Sequence, residues 1–178
     1  MNFLAPETKK RFLYRLIILL LPLIALSCQS GNKSGVPVAG TKAPVFSVED
    51  INGNTIDINN YKGKVVLLEF WATWCPPCRR SIPEMETLYE KFADRDFVLI
   101  AVSIDEGSNA LEAVKNFVDE FNMTYPVVID TGEISKKYQI TSIPTIFLID
   151  KSQKIVKRYM GYTPGLGEEL SRQIEALL

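Results

Sequence analysis

Val65-Val66-Leu67-Leu68-Glu69-Phe70-Trp71 runs directly into Ala72-Thr73-Trp74-Cys75-Pro76-Pro77-Cys78. An apolar run this long suits a strand covered on both faces, as in a parallel sheet. Glu69 alone interrupts it. Beyond the cysteines, Ile82, Met85, Leu88, Tyr89 and Phe92 recur at three- and four-residue spacing. That is the buried stripe of a helix over about residues 75–93, and Pro83 inside it predicts a kink. The two cysteines therefore stand where a strand gives way to a helix.

This placement suits reversible disulfide chemistry. The thiolate is the attacking species, so the site must lower a thiol pKa that starts near about 8.5. Unpaired N–H groups and the macrodipole at a helix start favour an anion. Cys75 falls at that end, and Pro76 fits the first helical position, where a missing donor costs nothing. Cys78 lies three residues on, on the same face and within reach of a bridge. Arg79 and Arg80 add positive charge nearby. The expected roles are Cys75 as the attacking thiol and Cys78 as the resolving one. Two duller readings compete. An inert disulfide closing so small a loop would constrain the unfolded chain little. Half of a zinc site would need two further ligands, and the chain has no other CxxC and no histidine.

Working outward, residues 97–104 read as a second buried strand. Leu111, Val114, Phe117, Val118 and Phe121 form a helical stripe, and residues 125–129 a further strand. A short helix over about 132–138 leads to Ile143-Pro144-Thr145. Residues 145–149 and 155–159 pair as a hairpin, and a last helix spans about 165–177. Upstream, residues 45–50 and 55–58 flank Asn52-Gly53, a strong hairpin signal because both residue types tolerate positive φ. Strands alternating with helices predict an α/β domain with a mixed sheet and right-handed crossovers over residues 41–178.

Length allows one domain and an appendage in 178 residues. The three cysteines are too few for a disulfide-rich scaffold, and the odd one, Cys28, needs its own explanation. The absence of histidine removes Cys/His and Ser/His pairs, and a net charge of −1 without a basic stripe leaves no nucleic-acid footprint. Lys9, Lys10, Arg11 and Arg15 precede an apolar run of about 11 residues ending at Leu26, followed by Ser27 and Cys28. That describes an export signal over residues 1–27, and the run falls short of the roughly 20 residues a spanning helix wants. Ile24-Ala25-Leu26-Ser27-Cys28 resembles a bacterial lipobox, which implies lipidation of Cys28. An uncleaved membrane anchor is the alternative, and either puts the domain outside the cytoplasm. Residues 28–40, rich in Gly, Ser and Asn, read as a flexible tether.

Taken together, residues 70–78, Ala43-Pro44 with the following hairpin, and Ile143-Pro144-Thr145 resemble the thioredoxin superfamily. The likeness is closest to its extracytoplasmic TlpA/ResA-like branch of AhpC/TSA-redoxin-like thiol-disulfide oxidoreductases. The resemblance implies a thioredoxin fold with an N-terminal β-hairpin and an added helix–strand unit, which matches residues 109–129. It implies a cis Ile143–Pro144 bond packed against the dithiol, presenting backbone to a substrate peptide. Glu69 stands where many thioredoxins carry a buried acid, and this implies a raised pKa and a proton shuttle for Cys78; the alternative is a solvated edge-strand glutamate. Trp74, beside Pro76 and Pro77, is expected on the docking surface rather than in the core. Gly161 reads as a place for a partner's backbone to approach, or as a turn glycine. One departure stands out: ResA-like proteins often carry a glutamate three residues after the second cysteine, and Ser81 occupies that position here.

Strong oxidants often place a histidine between the cysteines to stabilise the thiolate. Pro76-Pro77 offers no such donor, and Ile143 before the proline resembles reducing members. The expected activity is reduction of disulfides in exported proteins, apocytochrome c among them. The only redox group is the Cys75–Cys78 disulfide, with no cofactor or metal. Electrons would come from a membrane thiol transporter of the DsbD/CcdA type. A thiol peroxidase is the competing enzyme, although Thr73 gives Thr-x-Cys where peroxiredoxins need Thr-x-x-Cys. A copper-delivery module is the competing binder, lacking CxxxC and a histidine.

Overall fold

The computed structural model describes residues 37–178; the expected export signal, Cys28 and most of the expected tether lie outside the described residues. A two-stranded hairpin, β1 (Ser47–Glu49) and β2 (Thr55–Asp57), opens the domain and passes through a 3-10 turn, Ile58–Tyr61. The central elements follow as β3 (Val65–Trp71), α1 (Pro76–Phe92), β4 (Phe97–Ser103), α2 (Ala110–Glu120) and β5 (Val127–Ile129). Then come α3 (Glu133–Lys137), β6 (Thr145–Ile149), β7 (Ile155–Met160) and α4 (Leu166–Leu177). The five-stranded sheet has the order β5-β4-β3-β6-β7. β3, β4 and β5 are parallel, while β6 runs antiparallel to β3 and β7 antiparallel to β6.

Every residue of β3 and β4 is buried, because layers cover both faces of the sheet. Side chains alternate along β3. Val65, Leu67 and Trp71 pack with α1, α2 and α4. Val66, Leu68 and Phe70 pack with α3 and the hairpin segment through Ile134, Tyr138, Phe46, Ile56 and Ile58.

Two local features differ from the sequence reading. Among the residues of the Asn52-Gly53 turn only Gly53 takes positive φ (+85°), and the loop is held instead by Asp50, whose carboxylate accepts from the amides of Asn52 and Asn54. β5 starts at Val127 rather than at residue 125, since Pro126 has no N–H for the ladder. Helix α1 continues through Pro83 as one element. At its start the first segment of the domain lies along the beginning of β7: Gly40 N donates to Ile155 O, Ile155 N to Thr41 O, and Ala43 N to Gln153 O, all at 2.8–2.9 Å.

α1 and α4 pack through a contact that neither helix reveals alone. Glu84 Oε2 accepts from Gly167 N at 2.5 Å in the first turn of α4, while its Oε1 accepts from the Tyr162 hydroxyl at 2.7 Å. Gly165, the residue before that helix, has no side chain with which to cap it. Glu84 thus serves as a cap supplied from another helix. A Cβ on Gly167 would lie 2.8 Å from Glu84 Oε2 and 3.0 Å from Glu84 Cβ. Alanine usually improves on glycine in a helix by up to about 1 kcal/mol. Here Gly167→Ala is expected to reverse the sign and cost about 1–2 kcal/mol, by crowding and by loss of the cap. Urea denaturation tests this, and a midpoint at or above the wild-type value refutes it.

Candidate active site

At the end of β3 the chain turns through Ala72, Thr73 and Trp74 and enters α1 with Cys75 as the capping residue. Pro76 and Pro77 occupy the first two helical positions and have no N–H to offer. Of the donors at this helix start the Cys78 amide remains, and it points at the Cys75 sulfur, N to Sγ 3.2 Å. The paired prolines thereby focus the helix end on one atom. Cys75 and Cys78 are joined as a disulfide with their Cα atoms 5.3 Å apart. Cys75 shows 3% of its surface and Cys78 none. The outer sulfur is the accessible one.

Beneath the helix, Glu69 is fully buried. Its strand is central, which overturns the edge-strand alternative. Glu69 Oε1 accepts from Ser81 Oγ at 2.9 Å, and the same hydroxyl stands 2.9 Å from the Cys78 carbonyl oxygen. Oε2 has no hydrogen-bond partner among the described residues. Burial pushes the Glu69 carboxyl up to about 7, with the Ser81 bond pulling the other way. Ser81 has one proton to give. When Glu69 is ionised the hydroxyl can donate to it; when Glu69 is protonated the acid can donate to Ser81, which turns to the Cys78 carbonyl. Ser81, at the position where the resemblance implies a second glutamate, is thus the partner of Glu69. A sequence signal existed, since Ser81 is a polar residue in a buried stripe with Cys78, Ile82 and Met85.

The Ile143–Pro144 bond is cis. The register of β3 on β6 pairs Phe70 with Thr145, so Pro144 falls level with the end of β3 from which the cysteine loop departs. Gly161 has positive φ (+78°) and donates its amide to Pro144 O at 2.8 Å, which makes it a turn glycine with a bonding role. Neither the N–H nor the C=O of Ile143 has a hydrogen-bond partner among the described residues. Trp74 is 64% exposed and so lies outside the core. Met160, also exposed, pairs with Thr145 at the same end of the sheet.

The arginines expected to add positive charge near the site make contacts of their own. The Arg79 guanidinium bonds Glu120 at 2.8 Å and lies 4.8 Å from the ring centres of both Phe117 and Phe121. Phe117 in turn packs on Trp71. Arg79 therefore holds the inserted helix α2 against the active-site helix, and its charge is compensated by Glu120. Arg80 lies over the Tyr162 ring at 5.7 Å. Among the described residues no three Cys, Asp or Glu gather as a metal site.

Comparison with known proteins agrees with this geometry. Residues 39–158 match the model of the AhpC/TSA family. The thiol-disulfide oxidoreductase ResA of Bacillus cereus is 38% identical over 175 residues, covering 96% of each chain. ResA of Bacillus subtilis is 36% identical over 161 residues, covering 87% of this chain and 88% of its own. A crystal structure of a thiol:disulfide interchange protein of the thioredoxin family from Chlorobium tepidum superposes with a TM-score of 0.69 at 31% identity, over 77% of this chain and 95% of that one. A buried disulfide at a helix start, a cis-proline at the head of the neighbouring strand and these near-full-length likenesses converge: the chain belongs to the AhpC/TSA family, among its ResA-like thiol-disulfide oxidoreductases.

Proposed function

We propose that the protein reduces disulfides of exported proteins outside the cytoplasm, held to a membrane by a lipid on Cys28. The observation that carries the catalytic part is the division of labour between the cysteines: Cys75 receives the helix-end amide on its sulfur, while Cys78 is fully buried with its carbonyl linked through Ser81 to Glu69. In the reduced enzyme the Cys75 thiolate attacks one sulfur of a substrate disulfide, and the other sulfur leaves as a thiolate that takes up a proton. Cys78 then gives its proton to ionised Glu69 and attacks Cys75 Sγ, releasing the second substrate thiol. Two electrons pass to the substrate, and the enzyme is left with its Cys75–Cys78 disulfide. A membrane thiol carrier of the DsbD/CcdA type would restore the dithiol, and apocytochrome c is a candidate client. Trp74, Pro76, Pro77 and the Ile143–Pro144 backbone form the proposed docking edge, with the unpaired Ile143 groups free to bond an extended peptide.

The reducing direction rests on the thiolate's modest support. A single amide addresses Cys75 Sγ, and neither residue between the cysteines can donate a hydrogen bond. The peroxidase alternative loses ground at Thr73, whose hydroxyl is bound to Asp105 rather than free at the sulfur.

Three measurements test this reading. Cys78→Ala, expressed in cells, is expected to accumulate mixed disulfides through Cys75 that mass spectrometry identifies; an empty trap counts against the reductase. The potential of the pair should lie near the thioredoxin value of about −270 mV, and a value close to about −120 mV reverses the direction. Glu69→Gln should slow resolution of a preformed mixed disulfide and abolish the rise in rate as pH passes about 7. The same variant has a signature in stability. Between the ordinary carboxylate pKa and about 7 the unfolded chain has lost a proton that folded Glu69 keeps, so stability falls with rising pH and then levels off. Glu69→Gln escapes that loss. It should be more stable than wild type by about 3 kcal/mol at pH 8 and nearly equal at pH 4.

A further inference from the structure

The segment that carries Trp74 and Cys75 has no regular structure of its own, yet a thiol enzyme must present both residues in a fixed relation. Local backbone supplies one restraint, Cys75 N to Ala72 O at 3.2 Å. The other comes from 32 residues away. Asp105, just beyond β4, is 6% exposed. Its Oδ2 accepts from Thr73 N at 2.9 Å and from Ser103 Oγ at 2.7 Å, and its Oδ1 accepts from Thr73 Oγ1 at 2.6 Å. Asp105 N in turn donates to Ser103 Oγ at 3.0 Å. The register of β3 on β4 sets Trp71 beside Ser103, so the two chains leave the sheet together and the carboxylate bridges them.

Burying a carboxyl among neutral donors is costly unless its bonds are well made. Two of the three donors belong to Thr73, which immediately precedes the exposed Trp74. That indole has little packing of its own, so its direction follows from the backbone on either side. Cys75 is different: it keeps the disulfide, the Cys78 amide on its sulfur, and the bond from Arg79 N to its carbonyl at 3.1 Å. We infer that Asp105 is a positioning residue for protein-disulfide exchange, clamping Thr73 so that Trp74 is held ready for a polypeptide substrate while the reacting sulfur is held by the helix. The inference rests on the reductase reading above in so far as the client is a protein.

The clamp predicts a split between substrates. With full-length enzyme, Asp105→Ala is expected to raise KM for insulin disulfides roughly tenfold, as small misplacements of a positioned group commonly do. Its kcat and its rate with a small aromatic disulfide should stay within about twofold of wild type, because those depend on Cys75 at the helix start. Asp105→Asn keeps the shape. Its carbonyl can accept from Thr73 N and Ser103 Oγ, and its amide can donate to Thr73 Oγ1, so it should recover most of the loss. Thr73→Val removes one of the two bonds to that residue and should fall between wild type and Asp105→Ala, which keeps the test alive if the alanine variant folds poorly.

Amide hydrogen exchange at Thr73 reads the clamp without any catalysis. The amide should be protected in wild type and Asp105→Asn, and fast in Asp105→Ala while β3 and β4 stay protected. A Thr73 amide that stays slow in Asp105→Ala overturns the clamp. Equal losses with insulin and with the small disulfide, or no change in the insulin KM, overturn its role in docking. Wild-type enzyme that ignores insulin yet reacts with the small disulfide contradicts the reductase reading instead, and the Thr73 exchange then decides the clamp by itself.

Discussion

All seven side chains of β3 are buried between two layers, and the strand is flanked by β4 on one side and β6 on the other. A chain enclosed in this way has one freedom left at its end, which is to turn sharply over the sheet into α1. That turn is where the cysteines sit. The alternation that sends Leu67 and Trp71 into the layer beneath α1 also sends Glu69 there, and burial does the rest: a carboxyl deprived of water resists ionisation until about pH 7. The acid and the thiol-bearing helix are brought together by the pleat of one strand.

The site is assembled from single groups used once. Two prolines silence the first helical donors so that one amide addresses the Cys75 sulfur. Ser81 has one proton to share between the Glu69 carboxyl and the Cys78 carbonyl. Gly161 satisfies the Pro144 carbonyl and leaves Ile143 unpaired beside it. Arg79, read from sequence only as positive charge nearby, ties α2 to α1 through Phe117, Phe121 and Glu120. Its contribution is to the frame around the dithiol.

Periodicity made the architecture legible. The continuous runs at 65–71 and 97–103, the helical stripes after Cys78 and Leu111, and the proline before Thr145 are local patterns, and local patterns survive in one dimension. What escaped were pairs with no such pattern. Glu84 caps α4 from 83 residues away, and Asp105 reaches Thr73 across 32. Ser81 could be read only as a missing glutamate until its hydroxyl met Glu69. Boundaries moved where a rule about single residues overrode the run, as at Pro126. The cis bond was legible through family likeness alone, since one X-Pro pair carries little information about its isomer.

The opening segment of the domain bonds to Gln153 and Ile155, at the start of β7, whereas Met160 at the other end of that strand lies level with the cis-proline. Six residues of extended chain separate the two ends, about 17 Å. Residues 40–43 are therefore bonded to the domain at the end of β7 remote from the cis-proline. A pull on residues 40–43 is thus borne first by the start of an edge strand, and it must pass along the whole of β7 before it disturbs the turn at Gly161 that holds the Pro144 carbonyl.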